Sequence, residues 1–461
     1  MYLGASDPGG LDQHVTLGVV EGEGHCCSPP PLEAGGIIQL AAEVPAGFAR
    51  YIEKLAREMW DKKATEAGFD PELVKAYGDR LSEAVTKGYG KDIFAIDWNE
   101  PDYEKLKHLH IDAWKFATGK SEEHLDMLTR ALRKPDGSMR TFEEFRVQTV
   151  IATDKQLRGL RAEYNTAIAS AQMAAKWERI QATKGSFPYL EYVAVMDNHV
   201  TDKCARLDGV IRHVDDPFWK QYYPPNHYNC RSTVKQLRQI PEGYKDPFEE
   251  PNLPEQFKTD FIMQGHLFPA DHKYYGLAPN ELFNKVREHL PYDLQFDEYA
   301  TEEVLAGKVR VHFKAERDAN DFQRVLDSSI EFGRRGHLAD IMPSRLGDEK
   351  KYDNKGLYNT LFKSLTGTIY EGREPDIHLD RVMFIEHEGF TGPIPKNQLK
   401  NMLNRGTGQS SNIIIDQPDL TDRYIIRNIM LRIHAEGQKI DNVWVLNNGQ
   451  LRLIFTKTPK P

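Results

Sequence analysis

The stretch from Glu191 to Val234, EYVAVMDNHVTDKCARLDGVIRHVDDPFWKQYYPPNHYNCRSTV, constrains this chain more than any other. It opens on a run rich in β-formers, Tyr192 to Met196, which predicts a strand. A polar turn at Asp197-Asn198-His199 follows, then Cys204, then Leu207-Asp208-Gly209, where glycine suits a left-handed turn. Pro224-Pro225 rules out helix and fixes an extended approach to Asn226-His227-Tyr228-Asn229-Cys230-Arg231. His227 and Cys230, three apart, can converge on one point, and imidazole and thiolate are the usual zinc ligands. Cys204 and His213 can supply the other half across the turn, closing a small irregular module around a structural zinc. The plainer alternative is two buried thiols with His227 hydrogen-bonded locally. A catalytic Cys/His pair finds no oxyanion element beside it. Phe218, Trp219 and Tyr222 read as core.

The order of these pieces is Asp, Cys, Leu-Asp-Gly, Asp-Pro-Phe-Trp, then Pro-Pro-x-His-x-x-Cys-Arg. It resembles the head-morphogenesis module of tailed phages, the Mu F-like minor capsid proteins. The resemblance covers roughly residues 45–240. It implies a minor head protein of a phage or prophage, with portal or capsid proteins as partners and the virion or host cytoplasm as its place.

A chain of 461 residues is long for one core, which predicts two or three domains. No apolar run is long enough to span a membrane, and no basic segment leads into an apolar one as in a secretory signal. Four cysteines do not make a disulfide framework. The net charge of −9 argues against a surface that coats nucleic acid. Residues 291–461 hold 24 Lys/Arg and 25 Asp/Glu, so the C-terminal third is the part best able to approach a polyanion.

Residues 1–44, glycine-rich with Pro29 to Pro31 in a row, read as a flexible leader. Helical spacing from Ile52 to Trp60, a helix start at Asp70-Pro71-Glu72, a further pattern from Tyr103 to Leu132, and an Ala-rich segment from Asp154 to Ile180 predict a mostly α first half. The prolines after Ile240 predict a linker over 241–290. The predicted domains are therefore a Mu F-like module at 45–240 and a compact α+β domain at 291–461. In the latter a strand at Val309–Phe313 precedes a helix near 317–327 and a polar region holding Asp340 and Asp353. Short strands follow at Gly367–Tyr370, Pro375–Leu379 and Val382–Glu386. Pro395 opens a helix closed by Gly406. Asn412–Asp416 reads as a doubly buried strand. Thr421 caps a helix that ends at Gly437, with Ile425, Ile426, Ile429, Met430 and Ile433 on one face. Asn448-Gly449 marks a closing hairpin.

Two features of this domain suggest chemistry. Pro375-Asp376 is followed ten residues later by Glu386-His387-Glu388, on adjacent predicted strands. An Asp and a Glu facing one point can hold a divalent cation such as magnesium against a phosphodiester. Gly406-Thr407-Gly408-Gln409-Ser410-Ser411-Asn412 offers amide and hydroxyl donors that suit phosphate. The arrangement resembles the C-terminal nuclease domains of contact-dependent-inhibition toxins over roughly residues 300–461. That resemblance implies an endonuclease for RNA, tRNA foremost, or for DNA, and a small immunity protein as partner. It departs from the pattern at Glu388, where a lysine is expected. His387 or His378 can then serve as acid or base, with Arg373, Arg381, Arg405 or Lys314 steadying phosphate charge. The competing reading is a virion protein whose last domain binds DNA, portal or another virion protein without chemistry.

Overall fold

The computed structural model describes residues 47–61, 70–299, 301, 303, 305–344, 355–389, 398–417, 421–433 and 440–457. The expected leader at 1–44, Asp353, Pro395 and Gly437 lie outside these residues. All described residues belong to one compact unit, Leu40–Pro461.

The first half is helical: α1 (Phe48–Trp60), α2 (Pro71–Tyr89), α3 (Tyr103–Ala131) and α4 (Phe142–Thr183). Asp70 starts α2 as predicted, its carboxylate accepting the Leu73 N–H at 2.9 Å with Pro71 at the first helical position. The Ala-rich helix begins well before Asp154, because Thr141 and Glu144 form a reciprocal capping box. Small residues let α4 press on α2: a Cβ at Gly88 would come within 2.3 Å of the Ile168 carbonyl.

The central module is a three-stranded antiparallel sheet in which β1 (Tyr189–Val193) lies between β2 (Ile211–His213) and β3 (Thr233–Leu237). Short helices α5 (Asp202–Ala205) and α6 (Phe218–Tyr222) fill the connections. The first strand sits earlier than the predicted Tyr192–Met196. The Asp208 carboxylate takes the Ala194 N–H at 2.8 Å, and Val195 and Met196 are left exposed beyond it.

The segment expected as a linker is packed instead. Leu253, Phe257, Phe261, Leu267 and Phe268 are buried in the same core as the helices. Asp112 of α3 accepts hydrogen bonds from the Leu267 N–H and the Tyr275 hydroxyl, at 2.8 and 2.6 Å. The prolines break this strap into short helices, α7 (Phe261–Gln264), α8 (Lys273–Gly276) and α9 (Asn280–Arg287), and apolar residues between the breaks hold it down.

The C-terminal part is an eight-stranded mixed sheet with helices on both faces, so the chain is a multi-domain α and α+β assembly. Its elements in order are β4 (Phe296–Glu298), β5 (Lys308–His312), α10 (Phe322–Arg334), β6 (Leu338–Ile341), α11 (Lys355–Leu361), β7 (Ile377–Leu379), β8 (Met383–Gly389), α12 (Gln398–Gln409), β9 (Asn412–Asp416), α13 (Asp422–Ile433), β10 (Asn442–Asn447) and β11 (Gln450–Thr456). The strands lie in the order β11-β10-β9-β8-β7-β6-β5-β4. The pairs β5–β6, β8–β9 and β9–β10 are parallel and the rest antiparallel. Val309, Val325, Leu326, Ile385 and Ile414 form the core on the α10 side; Leu399, Met402, Ile413, Ile415 and Ile425 form it on the side of α12 and α13. Asn448 and Gly449 make the predicted hairpin, both at positive φ. Gly367–Tyr370, expected as a strand, is a run of turns. On α13 only part of the expected face is covered: Ile425 and Ile429 are buried, whereas Met430 is exposed.

Candidate functional site

The antiparallel register of β7 and β8 sets Ile377 opposite Ile385, so Asp376, one step before β7, faces Glu386. The Asp376 carboxylate accepts the His387 N–H at 2.9 Å, which fixes its orientation. Alternation along β8 sends Glu386 and Glu388 to one face. Arg405 and Gln409, four apart on α12, share the helix face that meets them. The Arg405 guanidinium grips Glu388 through Nη2 at 2.6 Å and Nε at 3.1 Å. These groups wall a cleft of about 580 Å³ whose lining also includes Asp321, Arg324, Arg373, His387 and Asn404.

Burial dominates the electrostatics of this cleft. It raises the Asp376 carboxyl to about 7, with Asp321 and Glu388 adding repulsion against the His387 N–H. Burial also lifts Glu386 well above the carboxylate range, and its acidic neighbours, Asp376 first, lift it further. Glu388 is raised by burial despite Arg405. Two buried polar atoms at the cleft, Glu386 Oε2 and Gln409 Oε1, have no hydrogen-bond partner among the described residues, while His387 Nε2, turned to the other face of β8, lies 3.7 Å from Asp416 Oδ2. Such atoms cost free energy in a resting protein and call for a ligand or another explanation. The missing lysine is answered from elsewhere in the chain, since Arg405 of α12 brings a cation to Glu388.

The cleft thus gathers Asp376, Glu386, His387, Glu388, Gln409, Arg373 and Arg405 from the predicted set. His387, however, is buried and held down to about 3 by desolvation and by Arg324, which removes it as an acid or base near neutral pH. The remaining candidates lie elsewhere. His378 is held down to about 4 by burial, and its Nδ1 meets the Tyr292 hydroxyl at 2.9 Å. Arg381 pairs with Asp293 at 2.5 Å, and Lys314 with Glu288 at 2.6 Å. The Ser410 hydroxyl donates to the Phe384 carbonyl at 2.7 Å. The expected phosphate loop is absent as a loop: Gly406 to Gln409 form the last turn of α12. Gly406 serves packing there, since a Cβ would come 3.0 Å from Ile413. Asp321, Arg324 and Asn404 were not legible as site residues, because nothing in their local sequence separates them from solvated helix positions.

The central module holds a second cluster. Cys204 Sγ lies 3.1 Å from His227 Nε2 and 3.7 Å from Cys230 Sγ. The hydrogen bond with Cys230 holds the Cys204 thiol low, and the same contact together with burial pushes Cys230 up. Burial works against the His227 imidazolium, but Cys204 and the Tyr228 carbonyl outweigh it and the net shift is upward. His213 does not join them. It is about half exposed, beside Asp215, with its ring edge-on to Tyr189.

Residues 125–235 match the family model described as Phage Mu protein F like protein, a span that holds all of α4, β1 and β2, the start of β3 and the Cys–His–Cys cluster. The similar proteins include one named "Putative capsid assembly protein F" from Escherichia phage Mu, 31% identical over 190 residues, or 35% of this chain and 42% of that protein. Another is the Mu-like prophage FluMu F protein of Haemophilus influenzae, 28% identical over 164 residues, or 31% of this chain and 38% of that protein. The chain therefore spans about two-fifths of the length of these curated relatives. No solved structure matches the chain.

Proposed function

We propose that this chain is a minor head protein of a phage or prophage whose C-terminal sheet domain cuts polynucleotide backbones. The head-assembly part draws on the match over residues 125–235 and on the relatives' printed names, with portal or capsid proteins as partners. The observation that carries the nuclease part is the cleft. Two facing acids, Asp376 and Glu386, share it with Glu388, Arg405, Arg373 and Gln409, and Glu386 Oε2 is buried without a hydrogen-bond partner among the described residues.

The residues present fit a divalent cation such as magnesium, which takes one or two carboxylates and leaves further positions to phosphate oxygens. Asp376 and Glu386 would hold it, and when bound it would supply charge neutralisation at the scissile phosphate and a lowered pKa for attacking water. Arg405 and Arg373 can bind non-bridging phosphate oxygens bidentately, and Gln409 can orient the sugar-phosphate backbone. With His387 and His378 both held neutral, a metal-assisted route is favoured over histidine acid–base cleavage. RNA, tRNA first, is the substrate of this proposal, DNA the second, and a small immunity protein would cover the cleft.

Incubating the full chain with total tRNA, single-stranded DNA and duplex DNA, each with magnesium and with chelator, tests this. Cleavage of one substrate class that needs the metal and disappears in Asp376→Asn and Glu386→Gln is expected. Intact nucleic acid under every condition would leave only a virion protein whose C-terminal domain binds without chemistry.

A further inference from the structure

The central cluster has the geometry of a metal centre, independent of what the C-terminal cleft does. Cys204 Sγ, His227 Nε2 and Cys230 Sγ all lie within 4.8 Å of one another, and no other trio of histidine, cysteine or acidic donors among the described residues is so close. Zinc binds thiolate at about 2.3 Å and imidazole at about 2.0–2.1 Å, so tetrahedral angles separate two thiolates by about 3.8 Å and a thiolate from an imidazole by about 3.5 Å. The observed separations are 3.7 and 3.1 Å. A disulfide requires about 2.05 Å between its sulfurs, and both thiols are free here.

The surroundings fit the same reading. His227 Nδ1 lies 2.7 Å from the Tyr228 carbonyl, which assigns the proton to Nδ1 and turns the Nε2 lone pair toward the sulfurs. The Tyr192 hydroxyl donates toward Cys204 Sγ at 3.6 Å, as a partner of a thiolate would. Thr201 Oγ1 stands 3.0 Å from His227 Nε2, on the rim of the donor triangle.

We propose that Cys204, His227 and Cys230 hold one zinc ion through three protein donors, with a water beside the Thr201 hydroxyl in the fourth position. The ion would tie α5 to the loop between Pro225 and β3, two segments that the small three-stranded sheet does not otherwise join. His213, the fourth ligand expected from sequence, has no part in it.

Metal content of the full chain, purified after expression with zinc and dialysed, tests the proposal. Close to one zinc per chain is expected, falling to near zero in Cys204→Ser and Cys230→Ser and unchanged in His213→Ala. A Cys26→Ser/Cys27→Ser variant should keep its zinc, which separates this site from the other two cysteines. Should the ligand variants fail to fold, cobalt exchanged into the otherwise native chain decides the matter. Thiolate-to-cobalt charge-transfer bands that survive the Cys26/Cys27 change support the site. A metal-free chain that melts cooperatively and gives no such bands, or zinc retained without Cys204 and Cys230, would overturn it.

Discussion

The C-terminal sheet carries two buried polar clusters, and they are built on opposite terms. Where the sheet meets the helical half, Arg310 of β5 is fully buried, yet Asp340 of β6 takes its Nε and Nη2 at 2.6 Å each. Its Nη1 reaches the Tyr103 hydroxyl of α3 at 2.8 Å and Asp293 at 3.0 Å. Arg381 adds a second cation against Asp293, so two guanidinium groups face two carboxylates. In the cleft, acids face acids: Asp376 opposes Glu386, and of the three acids on β8 and beside it only Glu388 has a close cation among the described residues. The first arrangement is what a fold needs to bury charge at all. The second is held by burial toward its protonated form, and the proposed site rests on that difference.

The contrast breaks first at the joint. Asp340→Ala would leave the Arg310 guanidinium buried with its main partner gone, and removing one member of such a pair costs about 3–5 kcal/mol. Denaturant unfolding of the full chain should show a loss of that order. A loss under about 1 kcal/mol would mean that water reaches Arg310 and that the joint is not a closed ion pair.

The cleft should respond in the opposite direction. Asp376 has its folded pKa raised to about 7, above the usual carboxylate value. The fold therefore holds a proton that the unfolded chain releases, and stability is lost as pH rises from about 4 through about 7. Asp376→Asn removes that loss. It should raise stability by about 3–4 kcal/mol at pH 8, about 1.4 kcal/mol for each pH unit between about 4 and 7, and leave it unchanged near pH 4, while cleavage falls by at least about a hundredfold. Equal stability of the two proteins across that pH range would place the Asp376 carboxyl in contact with water and remove the electrostatic argument for the site.

Arg405 lies between these cases. Its side chain is 56% exposed, so its pair with Glu388 is partly screened although the acid is buried. Arg405→Ala should cost about 1 kcal/mol and push Glu388 further toward protonation, visible as a shift in the pH dependence of melting. Weaker binding of polynucleotide at constant magnesium should accompany it if Arg405 contacts phosphate.

These differences also set how much of the fold and of the site is legible in the sequence. The Cys–His–Cys cluster was legible because its donors fall within one short stretch with strict local signals, the double proline and His-x-x-Cys. Only His213 was misplaced there: it lies on β2, and the strand's register turns it to solvent. The cleft was half legible. Asp376, one step before β7, and Glu386 of β8 belong to segments read as neighbouring strands, and period-two alternation brings them together. Asp321 and Arg324 come from a helix on the other side of the sheet, and Arg405 was foreseen as a cation without its partner. The strap at 241–290 was misread because proline content reports the absence of long helices, not the absence of packing; Phe257, Phe261 and Phe268 were the signal that outweighed it.

The sharpest form of the comparison sits in two adjacent residues. Gln409 presents to the cleft a buried carbonyl oxygen with no partner among the described residues, whereas the buried Ser410 hydroxyl donates to the Phe384 carbonyl and also receives the Asn412 N–H at 3.1 Å. Removing a satisfied buried hydroxyl should cost about 1 kcal/mol, because Phe384 and Asn412 then lose a partner together. Removing an unsatisfied amide oxygen discards a group that already bears its desolvation cost, so Gln409→Ala should fall within about 0.5 kcal/mol of the unaltered chain. Activity should rank the other way, with Gln409→Ala slowing any cleavage and Ser410→Ala sparing it. If Gln409→Ala proved the more destabilising of the two, its oxygen would have a partner in solution, and the cleft would be a sealed structural pocket like the joint around Arg310.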